Sequence, residues 1–417
     1  MYFYTYTEKQ KKPETAEPID SLLNLNAETP SDTASADTLA DASADTNAVF
    51  ELPEAPELSD AFEMPPNETS HPDEKDLDSK YDSFDEQSHL QLMRQNVKEY
   101  NFKLAYKHGF RIEKLLLSNP ALSAEWGHVL LEAGMPQDAL LVLKKLASGD
   151  SISSDAATDL AFAMHRSGNS EDAIQFLDSQ QKNRNADIIT AKAAIVGEHS
   201  DTTKRVAADS IFKYALKINQ ALPAANYYYG RYLMQKGDFK NSKFYLERAL
   251  KSRPDEPRYV ARLGMAEFYL KRDANAENLY KKALQLNPYD YNTWFNLGEL
   301  YLSQANESNY VPEIRRKIRM ALEAYLKTIE REGEHANAHS RIGLILNGNG
   351  EYAEAIRHLN IALERMPRNT LVMQQLSSAY LYMQDTARSI DYLEKILTID
   401  PFNRIAANEF NRIKGDR

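Results

Sequence analysis

From about residue 86 onward, apolar residues recur at i, i+3, i+4 and i+7, and proline and glycine interrupt the runs at regular intervals. That period predicts amphipathic helices joined by short turns. In "NTWFNLGELYLSQ", residues 292–304, Trp294, Leu297 and Tyr301 share one helical face, with Gly298 set among them. Pro254, Pro288, Pro367 and Pro401 close successive runs at separations of 34, 79 and 34 residues; the middle value is two periods of 34 plus an insertion of 11.

Alignment on that period superimposes several positions at once. Gly230, Gly264, Gly298 and Gly343 fall together, with Ser377 in the last copy, each preceded by Tyr229, Leu263, Leu297, Ile342 or Leu376. Twelve residues later stand Ser242, Ala276, Ala355 and Ser389, with Ala321 in that place after the insertion. Seven further on are Ala249, Ala283, Thr328, Ala362 and Ile396, and the intervening turns read "KGDF" at 236–239 and "NGEY" at 349–352. Over residues 223–403 this pattern resembles the tetratricopeptide repeat family. The resemblance implies an all-α fold of antiparallel helix pairs stacked into a right-handed superhelical solenoid. In such a fold Gly298 lets two helices approach closely, and no single unit buries its apolar face alone.

Residues 120–222 hold more degenerate copies, with Gly127, Gly134 and Ala139, then Ala161, Gly168 and Ala173, at the expected offsets. Eight repeats are expected from about 120 to 403, with a helical lead-in at 86–119 and a capping helix at 404–417. The insertion, at about 304–318, lies between the two helices of one repeat, and its second part reads as an extension of the second helix.

Residues 1–85 lack any helical or strand period, and "SDTASADTLADASADT" at 31–46 is low in complexity. Residues 1–89 carry 22 Asp or Glu against 5 Lys or Arg, so an acidic leader precedes a mildly basic body. Residues 1–85 are therefore expected to be disordered and dispensable for folding. "IDSLLNL" at 19–25 and "VFELPEAPELSDAFEM" at 49–64 are apolar islands, read either as docking motifs or as parts of a solvating linker. Cysteine is absent, which excludes disulfides, thiolate metal sites and a cysteine nucleophile. The start has no signal-like apolar core, and no run of 18 apolar residues suggests a membrane span. The expected location is cytoplasmic, or periplasmic or envelope-associated if a signal has been removed.

No catalytic constellation stands out, and neither a cofactor nor a metal is expected. "NGNGEY" at 347–352 lacks the Lys-Ser/Thr of a phosphate loop. His335 and His339 are four apart, as helical zinc ligands would be, but no third ligand accompanies them, and His339 falls at a packing position. Nucleic acid is disfavoured because the body is only mildly basic. Arg315, Arg316, Lys317 and Arg319 form a local basic cluster, read as a solvated face or as a contact for an anionic partner.

The resemblance points to the concave face lined by first helices. The residues projecting there include Tyr227, Arg231, Met234, Arg258, Met265, Phe268, Tyr269, Phe295, Glu299 and Leu302. Chaperone-binding family members clamp a terminal carboxylate with Lys and Asn; here the pairs at those positions are Tyr227/Arg231, Ala261/Met265, Phe295/Glu299, Ser340/Leu344 and Gln374/Ser378, so that specificity is not expected. An aromatic and Met-rich groove suits an apolar peptide segment, with Arg231 and Glu299 orienting it. The alternative is that these side chains pack against the solenoid itself. The function expected is a non-catalytic protein-interaction scaffold or adaptor, by analogy in a secretion, pilus or envelope assembly. The alternative is a subunit of a catalytic complex or an RNA-binding regulator using the basic insertion. Partner identity and oligomeric state stay open. On the groove reading, truncating Phe268 and Phe295 to Ala should abolish capture and leave the melting temperature nearly intact.

Overall fold

The computed structural model describes Tyr81 and residues 83–149, 152–180 and 185–415. The disorder expected of residues 1–85 thus falls almost wholly outside the described residues. Twenty helices fill the described chain, and none of the described residues forms a strand. They come as consecutive pairs: α1 (Glu86–Lys98) with α2 (Phe102–Arg111), followed by the one-turn α3 (Glu113–Leu116), then α4 (Pro120–Glu132) with α5 (Pro136–Ala147) and α6 (Ser154–Arg166) with α7 (Ser170–Ser179). Next come α8 (Ala186–Gly197) with α9 (Thr202–Ile218), α10 (Pro223–Gln235) with α11 (Phe239–Ser252), and α12 (Pro257–Tyr269) with α13 (Asp273–Leu286). The last pairs are α14 (Tyr291–Glu307) with α15 (Val311–Arg331), α16 (Ala336–Gly348) with α17 (Tyr352–Arg365), and α18 (Thr370–Tyr382) with α19 (Thr386–Ile399), followed by α20 (Arg404–Gly415). The chain forms two compact units divided between residues 293 and 294.

Seven of the nine pairs turn in the same way. The seventh residue after the small-residue slot is left-handed: Gly134, Gly168, Gly237 and Gly350 at φ 74–87°, and Tyr100, Lys271 and Gln384 at φ 58–62°. In the α10–α11 turn the Gly237 N–H donates to the Met234 carbonyl and the Asp238 N–H to the Leu233 carbonyl, both at 2.9 Å. These two bonds close the orphan carbonyls of the helix end. The same pair of bonds runs from Tyr100 to Val97 and from Asn101 to Asn96. The lead-in is therefore itself a repeat, with Met93 in the glycine slot, Ala105 in the small slot twelve residues on, and both side chains fully buried. Its register is masked in the sequence by an exchange: the large residue moved to the first helix, and Gly109 stands where other pairs carry Leu, Tyr or Phe. There are thus nine pairs rather than eight.

Close approach within most pairs rests on the small slot. A Cβ on Gly230 would lie 2.8 Å from Leu246 Cγ, one on Gly343 2.5 Å from Leu359 Cγ, and one on Gly298 2.5 Å from Tyr325 Cε1. In the last pair Ser377 fills the slot and hydrogen-bonds Ser389 Oγ at 2.9 Å, so a polar contact replaces the bare one. The inserted residues lengthen both partners of one pair. α14 has 17 residues and α15 has 21, against 13 and 14 in α12 and α13, which is one extra turn on the first helix and two on the second. Pro312 in the first turn of α15 restarts the helix where its missing N–H costs nothing.

Residues 81–85 correct the expected boundary of the folded chain. Tyr81 meets His108 edge-on at 4.8 Å and Phe84 at 5.3 Å, and the Asp85 carboxylate accepts from the Ser88 N–H at 2.7 Å to cap α1. The acidic context hides two core-covering rings and a helix cap. Removing residues 1–85 should lower the melting temperature by several degrees relative to removing 1–80, since a cap contributes about 1 kcal/mol and each ring contact about 0.5–1.5 kcal/mol. Equal melting temperatures would show that these contacts add nothing.

Gly298 offers a second test. The ring opposite it is fully buried, so it cannot swing aside. Even Gly298→Ala should cost roughly 1–3 kcal/mol by overpacking, with Gly298→Leu worse. Denaturant unfolding that placed Ala level with Gly would refute the close approach.

Candidate functional site: the inner face of the first helices

From α4 to α12 each first helix lies against the next, and α16 lies against α18. The second helices spread apart on the opposite side. Each unit therefore curves with its first helices on the inner, concave face.

The structure packs most of the sequence-derived strip into that inner layer. Tyr227 is buried, stacked on Tyr259 at 4.7 Å and set edge-on to Tyr228 at 5.2 Å. Met234 is 2% exposed, and Met265, Phe295 and Leu302 are also buried. Phe295 sits between Tyr325 at 5.6 Å and His335 at 5.0 Å. Phe268 is half-buried beside Tyr269, and Tyr269, 37% exposed, stacks on Phe239 at 4.6 Å. These burials correct the reading of the strip as a solvent-facing surface. Inner positions of a tightly curved stack touch the next first helix, so the apolar ones join the core. The Phe268→Ala, Phe295→Ala pair would accordingly destabilise the fold, because truncating a buried Phe costs about 3–5 kcal/mol.

The two flanking charges are engaged internally. Arg231 pairs with Glu198 at 3.0 Å and lies over the Tyr228 ring, while Glu198 also accepts from His165 at 3.2 Å. Burial pushes the Glu198 carboxyl upward, but the His165 hydrogen bond and the Arg231 charge hold it below its usual value. Glu299 takes Arg341 in a two-pronged contact at 2.8 and 3.0 Å and accepts from Tyr325 Oη at 2.5 Å. Its negative charge holds the Arg341 guanidinium above the usual arginine value, and burial raises the Tyr325 phenol.

The basic cluster is also dispersed. Lys317 is buried, donating to Gln304 and lying 5.1 Å over the Tyr301 ring, and Arg316 pairs with Glu313 at 2.6 Å. Arg315 and Arg319 are exposed.

Apart from Arg258, which the repeat register already places among the projecting residues, sequence reasoning missed the groups that fill the first unit's inner face. Phe162 stacks on Tyr228 at 5.5 Å, and His128 bonds Asp159 at 3.0 Å. Arg258 reaches Glu132 at 3.3 Å and Glu256 at 3.1 Å, and Tyr100 Oη lies 3.5 Å from Glu256. A signal existed only for the positions: Arg258 and Glu132 both occupy inner-face slots of their repeats, but nothing in the sequence links residues 126 apart.

His335 accepts from the Ala338 N–H and caps α16. His339 Nε2 donates to the Gly333 carbonyl at 2.8 Å, so its Nδ1 accepts from His358 Nδ1–H at 2.8 Å. His89 and His108 form a like pair at 3.1 Å, with the same spacing of 19 residues. Among the described residues no group of three or more His, Asp or Glu could hold a metal ion. Burial holds all four imidazoles below the usual value, pushing His108 and His358 to about 4. A histidine depressed on folding contributes stability above its unfolded value of 6.5, and that stability is lost as pH falls. The melting temperature should drop as pH is lowered from 6.5 toward 4, and His358→Gln should flatten that slope. An unchanged slope would show that the pair does not titrate in this window.

The fold and its inner face define an all-α helix-pair repeat solenoid. Four tetratricopeptide repeat family models match the chain, at residues 130–195, at 227–291 and 315–369, at 279–310 and at 372–403. Together they cover more than half of it, and the chain belongs to the tetratricopeptide repeat family. The human superkiller complex protein 3 is 24% identical over 139 residues, which is 31% of this chain and 8% of that protein's length. Among solved structures, YrrB, described as a TPR protein with an unusual peptide-binding site, is 16% identical over 48% of this chain and 96% of its own, with a TM-score of 0.38. A MamA fragment from Desulfovibrio magneticus RS-1 is 16% identical, covering 43% and 95% with a TM-score of 0.37. Human IFIT1 with PPP-AAAA is 15% identical, covering 78% and 92% with a TM-score of 0.43. Family membership carries the family's general role, a scaffold for protein interaction. No helix among the described residues is long and apolar enough to cross a membrane.

Proposed function

We propose that this protein is a non-catalytic adaptor that holds a peptide segment of a partner protein on the concave face of α16 and α18. The observation that carries this reading is the chemistry of that face. Asn337, Ser340, Gln374, Ser378 and Leu381 are half-buried there, beside the buried Leu344. Amide and hydroxyl groups set among leucines match an extended segment, whose main chain needs hydrogen-bond partners and whose small apolar side chains need cover. The first unit's inner face is instead filled by its own rings and ion pairs. The reading through the basic insertion is not proposed, because Lys317 is buried and Arg316 is paired with Glu313.

The test begins with a partner isolated and identified from native extract with the full chain. Its affinity is then compared for the wild type, for Ser340→Arg with Ser378→Arg, and for Leu141→Lys, an exposed change on a second helix. The double variant should weaken binding at least about tenfold, or 1.4 kcal/mol, at unchanged melting temperature, and Leu141→Lys should not. Full affinity of the double variant would move the partner elsewhere. Turnover of any substrate that survives purification would overturn the non-catalytic part.

A further inference from the structure

The first unit carries a polar network between segments far apart in the chain. Tyr100, in the α1–α2 turn, meets Glu256 just before α12, 156 residues later. Glu256 is buried and also pairs with Arg258, whose guanidinium continues to Glu132 at the end of α4. Tyr100 holds a left-handed turn position at φ 58°, a slot that four other pairs give to glycine and two give to Lys271 and Gln384. Glu256 is a carboxylate kept out of water, which is unfavourable unless its charge is matched.

From these observations we infer that Tyr100, Glu256, Arg258 and Glu132 form a clasp that holds the concave face of the first unit closed. The clasp joins the α1–α2 turn and α4 to α12, so it ties the ends of a stack of six helix pairs. Beneath it lie the Phe162–Tyr228 and Tyr227–Tyr259 stacks. Helix pairs in a repeat stack contact chiefly their neighbours, so curvature is soft unless something spans several pairs. The Arg258–Glu132 pair is partly exposed and the Tyr100–Glu256 hydrogen bond is long at 3.5 Å, so each is individually weak. Here they restrain the same motion together, and the ion pair is accessible to salt in a way that the stacked rings are not. Releasing them opens the curve and uncovers the aromatic rings. The clasp belongs to the first unit alone and stands whether or not a partner occupies α16 and α18.

The chain contains no cysteine, so two introduced cysteines accept spin labels specifically. Lys114→Cys, on α3, and Asn278→Cys, on α13, are exposed and lie toward opposite ends of the stack. In the full chain, pulsed electron resonance should give one short, narrow distance distribution at low salt. Glu132→Lys should lengthen and broaden it, and 1 M salt should do the same to the wild type. Tyr100→Gly should retain the turn, remove its strain, and still lengthen the distance. An unmoved distribution in Glu132→Lys and Tyr100→Gly would overturn the clasp. If Glu132→Lys does not fold, Glu132→Gln and the salt series decide in the same way.

Discussion

The structure depends on one contact, repeated: a residue without a bulky side chain on the first helix of a pair, facing a leucine or tyrosine on the second. Gly230 against Leu246, Gly298 against Tyr325 and Gly343 against Leu359 set how closely the two helices run. Everything else follows from that spacing. Close helices bring the alanine slot of the second helix into the interface, as at Ala276, Ala321 and Ala355, all fully buried. A short left-handed turn, closed by the same two backbone bonds, then joins seven of the nine pairs. Where the contact changes, its logic persists: the first pair puts Met93 on the first helix and Gly109 on the second, and the last pair joins Ser377 to Ser389 by a hydrogen bond.

Local features of this kind were legible in the sequence, because each lies within a few dozen residues and repeats at a fixed period. The helix pairs, their small slots and the glycine turns at Gly134, Gly168, Gly237 and Gly350 could all be read directly. The first pair was hidden because its two signature positions are exchanged, and a search for glycine in one slot passes over methionine there. Tyr81, Phe84 and Asp85 were hidden for a different reason. They sit in an acidic stretch whose composition argues against order, and composition averages over single residues that pack.

The inner face was the least legible part. Its positions could be placed by counting, but whether a side chain at such a position meets solvent depends on how tightly successive first helices curve. That curvature is the sum of small rotations between pairs, and no single residue encodes it. Met234, Phe295 and Leu302 lie on the expected face and are nonetheless buried, Phe295 between Tyr325 and His335. The partners of Arg231 and Glu299 were out of reach for the same reason: Glu198 and Arg341 each belong to an adjacent pair.

On the first unit's inner face Arg231 is matched by Glu198, and Arg258 by Glu132 and Glu256; on the second, Glu299 is matched by Arg341. A face whose charges are matched internally projects little field, so it neither steers nor selects a partner by net charge. Exchanging an internal ion pair for one with a partner also gains little, since one desolvated contact replaces another. Recognition on such a surface falls to shape and to neutral hydrogen bonds. On the proposed reading, Asn337, Ser340, Gln374 and Ser378 offer such groups on α16 and α18, whereas the clasp rests in part on the partly exposed Arg258–Glu132 ion pair.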